Sequence, residues 1–359
     1  MLGTGHAVHF LLTTSIVFRN IITIINQLSG GIMKELLYLH GLGCGGDTIS
    51  LLNAEEPDFL SALKILDINI VWHPSLSIEN GEDVLKICAD FVNGKKNLDF
   101  LIIEGAIPTG PNKTGKIYEF LGKPFIELVK ELANTAEYAI AVGTCAASGG
   151  ISGAEGNPTG AMGLQFKRDK IGGVLGEGYR SKSGFPVINI PGCPAHPDWI
   201  LETLYLISQN MLQIDMLDYD NRPAHFYSML AHHACPRNEF YEFKASAEEF
   251  GQQGCLFEKL GCRGTQCESD CNIRLWLGRT GSCTRGGYPC IACTSQVFPL
   301  QETRYFSTEM IGNIPKFLPR DVPKAWYIGM VGLSKMATPK RLKINAISYQ
   351  INPKGLKNE

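Results

Sequence analysis

The twelve cysteines of this chain are placed unevenly, and that placement limits what it can fold into more than any other feature. Cys44, Cys88, Cys145 and Cys193 are scattered, whereas eight lie between Cys235 and Cys293. From His232 to Cys293 there is little periodicity, much Gly, Cys and Arg, and no long apolar run. Such a stretch cannot bury enough side chain to hold itself together, so a covalent or metal staple must stand in for a core. Disulfides would need an oxidising compartment. Residues 1–32 contain the apolar runs HAVHFLLTTSIVF and IITIINQL but no basic leader, twin-arginine pair or small-residue cleavage site. Met33-Lys34 immediately precedes the first convincing strand, so residues 1–32 read as an extension, either poorly ordered or a mis-assigned start. With no clear export signal, reduced thiols and a cytoplasmic location are expected, with a peripheral position at the inner membrane face as the variant of that reading.

The first two-thirds alternates strand-like and helix-like segments. Apolar runs occur at 35–40, 68–72, 100–103, 139–143 and 187–190. Helical patterns lie between them at 83–93, at 116–133 with Pro124 as a kink, and at 197–211. Short buried strands separated by helices imply a mostly parallel, doubly wound α/β sheet. With 359 residues and 44% hydrophobic content, the chain is long enough for two domains with real cores. A net charge of −2 offers no basic field for nucleic acid. The tail from Pro299 is proline-punctuated, and its AWYIGMVGLSKMA is shorter than the ~20 apolar residues a bilayer span needs. Lys335, Lys340, Arg341 and Lys343 make that end basic, as a solvated face or as a loose membrane or partner contact.

Cys44, Cys145 and Cys193 each sit just past a strand. In an open parallel sheet such carboxyl-end loops converge on the ligand crevice. All three loops (GLGCGGD, GTCAASGG and PGCPAHP) are built from small residues or proline, which lets backbone N–H groups approach a bulky anion. Soft thiolates select copper(I), zinc or iron–sulfur, and a cubane suits a Gly-rich nest better than a bare zinc ion. The first loop also spells G-x-G-x-x-G, but the acidic residue a dinucleotide needs at the end of the second strand is replaced by Trp72-His73-Pro74. A near phosphate loop at 110–117 ends in Ile117 where magnesium needs a hydroxyl. No nucleotide cofactor is expected.

In the dense segment, His232/Cys235 and Cys290/Cys293 are close pairs separated by Cys255, Cys262, Cys267, Cys271 and Cys283. That is enough for two four-ligand sites with one cysteine over. Two zinc ions in a zinc-stabilised binding protein are the alternative; the upstream three-cysteine crevice favours several clusters and hence an electron relay.

The segments GLGCGGDTISLLNAEEPDF, WHPSLS, IIEGAIPTG, AVGTCAASGGI, INIPGCPAHPDW, HHACPR, GCLFEKLGCRG and GYPCIACTSQVFP, in this order, resemble the small, electron-transferring subunit of nickel–iron hydrogenases. The NAEEP variant, without a twin-arginine leader or a C-terminal membrane helix, is more similar to soluble uptake-type or sensor-type members. The resemblance implies a flavodoxin-like domain over 33–219, a Cys-rich, mostly irregular or helical iron–sulfur domain over 220–300 and a tail over 301–359. It implies a proximal cluster on Cys44, Cys145 and Cys193, with Asp47 at the usual fourth cysteine's position, hence 4Fe–4S if the carboxylate ligates and 3Fe–4S if it does not. A distal 4Fe–4S cluster falls to His232, Cys235, Cys255 and Cys262. A medial 4Fe–4S cluster falls to Cys271, Cys283, Cys290 and Cys293, with Cys283 where many relatives have proline. Cys267 is a spare able to substitute for Cys262 or Cys271, and Cys88 reads as core. Glu104 is either a loop carboxylate near the proximal cluster or the subunit interface, or a satisfied structural acceptor, and His196 and Asp198 read as helix caps. The implied partners are a large subunit, which binds the nickel and iron that split hydrogen, and an electron-transfer partner. A regulatory hydrogen sensor would use the same clusters. A quinone-reductase-type relay would share the first domain but lack the segment from Cys235 to Cys293.

Overall fold

Five apolar runs pair as one parallel sheet in the computed structural model, which describes residues 33–300, 305–312, 314–320 and 322–349. The strands are β1 (Lys34–His40), β2 (Ile68–Trp72), β3 (Leu98–Glu104), β4 (Ala136–Val142) and β5 (Ile188–Ile190), in the order β2-β1-β3-β4-β5. This is the flavodoxin-like order, whose switch point lies between β1 and β3. The extension expected over residues 1–32 lies outside the described residues.

Side chains alternate across the strands, and both faces are covered. Leu36, Tyr38, Phe100, Ile102, Ile140 and Val142 pack with α1 (Gly46–Leu52), α2 (Phe59–Ile65) and α6 (Pro197–Ser208). Leu37, Leu39, Leu101, Ile103, Ala139 and Ala141 meet α3 (Glu82–Val92), α4 (Phe125–Thr135) and α5 (Gly143–Ser148) on the other face. Burial on both sides explains why the strands read as continuous apolar runs. Cys88 of α3 sits in this second layer, where burial pushes its thiol up to about 11.

The helix expected over 116–133 is shorter. Pro124 does not kink it but precedes its first residue, and 119–120 pairs with 123–124 in a tight hairpin instead. Leu121 and Gly122 turn that hairpin with positive φ, which ends any helix there. The helix expected over 197–211 stops at Ser208. It starts as the sequence suggests, with Pro197 in the first turn and His196 Nδ1 accepting from the Asp198 amide at 3.1 Å.

After Asp220 the chain is mostly turns, with short helices at Ala224–Tyr227 and Asn238–Glu242. The tail then folds back as α7 (Lys324–Ala337) and α8 (Lys340–Ala346). Tyr327 of α7 packs against Tyr241, Cys255 and Phe257, and Leu342 and Ala346 of α8 pack against Ala245. Among the described residues no helix is long and apolar enough to cross a membrane.

Candidate functional site

The carboxyl edge of the sheet gathers Cys44, Cys145, Cys193 and Asp47. Leu42 and Ala106 exchange backbone hydrogen bonds of 2.8 Å, which ties the loop after β1 to the loop after β3. A Cβ on Gly41 would stand 2.5 Å from the Ala106 oxygen, so the first glycine of the G-x-G-x-x-G pattern serves backbone contact. The next turn brings Cys44 over Gly46, whose Cβ position lies 3.1 Å from the Cys44 sulfur and 3.8 Å from Pro194. Cys145 stands on the first turn of α5, where burial raises its thiol and the Ile151 and Ser152 amides, facing its sulfur, work against that rise. Burial, then the neighbouring charges of Cys145, Asp47 and Cys44, push the Cys193 thiol up to about 12. Asp47 and Cys44 act on Cys145 as well, so the four groups at this edge lie near enough to feel one another's charge.

Asp47 is buried in the first turn of α1. Its Oδ1 accepts from the Ala195 amide at 2.7 Å, and a Cβ on Gly143 would collide with Oδ2 at 1.9 Å. Burial raises its carboxyl to about 7; the Ala195 amide opposes the rise and the Glu104 charge adds to it. Glu104, 1% exposed at the end of β3, accepts from the amides of Asp47 and Thr48 (both 3.0 Å), from the Thr48 hydroxyl and from Tyr38 (2.8 Å). Burial works to raise its pKa, but His40, Thr48 and Tyr38 outweigh that and hold it below the usual carboxylate range. Of its two expected roles, Glu104 fills that of a satisfied acceptor, and through the Asp47 amide it also fixes the loop carrying the crevice residues.

A second group lies in the turn-rich segment. His232, Cys235, Cys255 and Cys262 line one small cavity together with Arg237, Tyr241, Phe257 and Gly264. The Phe257 amide donates to the Cys255 sulfur at 3.4 Å, and the Gly264 and Cys290 amides approach that of Cys262. Burial pushes Cys262 up to about 11. The Arg237 guanidinium, buried beside these thiols, donates to the carbonyls of Thr284, Gln252 and Gly254. Its Nη2 is buried and has no hydrogen-bond partner among the described residues.

Cys271, Cys283, Cys290 and Cys293 form the third group, and Cys267 stands inside it. Cys267 is 1% exposed and 3.1 Å from the Thr294 hydroxyl; a hydrogen bond from Cys290 holds it below the ordinary thiol value. The Ser269 hydroxyl donates to the Cys271 sulfur at 3.1 Å. The spare cysteine therefore packs between neighbours of both residues for which it was expected to substitute.

The three groups touch in series. Thr144 donates to the Cys293 carbonyl, joining the first group to the third, and the Cys193 amide faces the Cys293 sulfur alongside, working against the rise that burial causes. The Cys290 amide donates to the Cys262 sulfur at 3.4 Å, joining the third to the second. Sequence reasoning missed Arg237 and Thr144. Each lies inside a quoted motif, HHACPR and AVGTCAASGGI, and a cation two residues after Cys235 was the available signal for the first.

Buried neutral thiols are inert, whereas thiolates beside N–H donors and a guanidinium are ligands for a soft metal. An unpaired Arg237 N–H in a cavity lined by three thiols and an imidazole fits a bulky anionic group, and so does the ring of amides aimed at sulfur.

Two family profiles match in succession. The "NADH ubiquinone oxidoreductase, 20 Kd subunit" profile covers residues 44–207, and that of the C-terminal part of the NiFe/NiFeSe hydrogenase small subunit covers residues 227–306. The F420 non-reducing hydrogenase II small subunit of Methanosarcina mazei is 37% identical over 74% of this chain and 73% of its own length. Among solved structures, the recombinant [NiFeSe] hydrogenase of Desulfovibrio vulgaris Hildenborough in the oxidized state matches with a TM-score of 0.67 at 32% identity, covering 77% of this chain and 99% of that one. The actinobacterial-type NiFe-hydrogenase of Ralstonia eutropha H16 matches with a TM-score of 0.70 at 29% identity, covering 86% and 92%.

Proposed function

The chain belongs to the small-subunit family of nickel–iron hydrogenases, and on that premise we propose that its three thiol groups hold three iron–sulfur clusters working in series. The catalytic metal site lies on the large subunit with which a small subunit pairs, so this chain conducts electrons between that site and a separate redox partner. The observation that carries the reading is a pair of junctions: the Thr144 hydroxyl, next to Cys145, bonds the Cys293 carbonyl where the Cys193 amide faces the Cys293 sulfur, and the Cys290 amide donates to the Cys262 sulfur. They support an order of proximal, medial, distal in which each step leaves from a ligand residue of one group and arrives at a ligand residue of the next.

In this reading Cys44, Cys145, Cys193 and Asp47 hold the proximal cluster, Cys271, Cys283, Cys290 and Cys293 the medial one, and His232, Cys235, Cys255 and Cys262 the distal one. Asp47 is proposed as a ligand, because a buried carboxylate among thiols calls for a metal or a cation, and its nearest cationic neighbour, His40, leans on Glu104 instead. Iron–sulfur clusters supply one-electron storage at a potential set by ligand type, charge and hydrogen bonds. The chain's own residues do the tuning: amides of Ile151, Ser152 and Gly264 face ligand sulfurs and favour their charged form, and Arg237 sets a positive charge beside the distal site. Cys267 is left as a thiol packed against the medial set.

Anaerobic co-purification with the large subunit tests this. Three clusters give about 12 irons per small chain, about 11 if the proximal one has three, with matching acid-labile sulfide. A colourless protein carrying zinc in place of iron overturns it.

A further inference from the structure

The outer face of α7 is an apolar stripe turned to solvent. Trp326, Met330, Leu333 and Met336 recur at helical spacing and are 68%, 55%, 69% and 82% exposed. Tyr327 and Val331, on the other side, turn inward onto Tyr241, Cys255 and Phe257. Ile344 and Ile347 extend the exposed apolar surface along and beyond α8. From Val322 to Tyr349 the sequence holds five Lys or Arg residues and no carboxylate, although the whole chain is slightly acidic. Lys335 reaches back to Glu258 and Arg341 to Glu239, so the polar edges of the two helices are basic and anchored to the body of the subunit.

We propose that α7 and α8 dock this subunit onto an anionic membrane surface. A second copy is a poor occupant, since an isologous contact would set the same basic segment against itself. The cores of protein interfaces are depleted in Lys, whereas Trp and Leu flanked by Lys are the composition of helices that lie in a lipid interface. The 14 residues of α7 span about 21 Å, short of the ~30 Å hydrocarbon core, so the helix lies on the bilayer and does not cross it. Stripe and basic edge together give the two signals that stable surface attachment requires. Tyr327 joins α7 to the wall of the cavity lined by His232, Cys235, Cys255 and Cys262, its ring 6.3 Å from that of Phe257. Docking would hold that site about one helix diameter, ~10 Å, from the lipid. This inference does not depend on what the cavity holds.

Vesicle flotation of the anaerobically purified complex tests it, with phosphatidylcholine vesicles containing phosphatidylglycerol compared with phosphatidylcholine alone. The complex is expected to float with the anionic vesicles and to be released by salt. Leu333→Glu with Met336→Glu should cut flotation at least tenfold, and Lys324→Gln, Lys340→Gln and Lys343→Gln about fivefold each, with iron content unchanged. No flotation at low salt, or flotation that neither variant set alters, overturns the proposal. So does a complex that binds no lipid and halves in mass on the Leu333/Met336 change, which would assign the stripe to a second copy.

Discussion

In the sheet domain, Leu37, Leu101 and Ala139 are fully buried among other apolar side chains; in the segment after Ala231, Leu256 and Phe257 share the interior with buried Arg237, Asn272, Cys267 and Cys290. The sheet is stabilised by area removed from water, roughly 25 cal/mol per Å², and needs no added group. The segment is held by specific hydrogen bonds. Asn272 donates to the Ala231 carbonyl and accepts from Ser282 and Thr284, and Arg237 fastens three carbonyls. Such bonds fix geometry but contribute only about 1 kcal/mol each. A region built this way has its shape specified without its stability, and in the proposed reading metal ligation by its cysteines completes it.

The largest expected effect separates the two regions. Protein made under iron limitation should lose amide-exchange protection over 227–300 while β1–β5 keep theirs, since metal ligation stabilises small sites by about 10 kcal/mol or more; equal protection would erase the contrast. Leu101→Ala acts on the other side, costing about 3 kcal/mol through a cavity in the sheet, so thermal melting should fall while the iron absorbance at ordinary temperature is kept. Arg237→Met strands three buried carbonyls and costs about 2 kcal/mol, with selective loss of the distal signal and about four irons; Arg237→Lys should restore part of both. Glu104→Gln weakens the hold on the Asp47 and Thr48 amides by about 1 kcal/mol and should shift the proximal spectrum alone. Asp47→Cys should change stability least and the proximal electron-spin signal most; an unchanged signal would speak against ligation by the carboxylate.

How legible each part is follows from the same contrast. Strands β1 to β5 can be read because burial on both faces leaves an apolar run, and the convergence of Cys44, Cys145 and Cys193 follows from their places after β1, β4 and β5. The seven-residue helices α1 and α2 are too short for a period to appear, and periodicity overextends α4 because Pro124 marks its start and not a kink within it. In the segment held by polar contacts there is no period at all, so the packing of Cys267 against Cys290 has no sequence signature, and Arg237 shows only as a cation two residues after Cys235. The prolines of the tail suggest irregular chain, yet Pro323 and Pro339 precede the first residues of α7 and α8, and the stripe from Trp326 to Met336 has helical spacing in the sequence itself.

Interrupting the middle of the series tests the account most directly. In the purified complex, Cys290→Ala with Cys293→Ala should remove the medial signal. Under hydrogen, the proximal centre should then still become reduced, while the distal centre stays oxidised over the time in which the unaltered protein reduces both. Distal reduction at an undiminished rate would contradict a relay running through the Cys193–Cys293 and Cys290–Cys262 contacts.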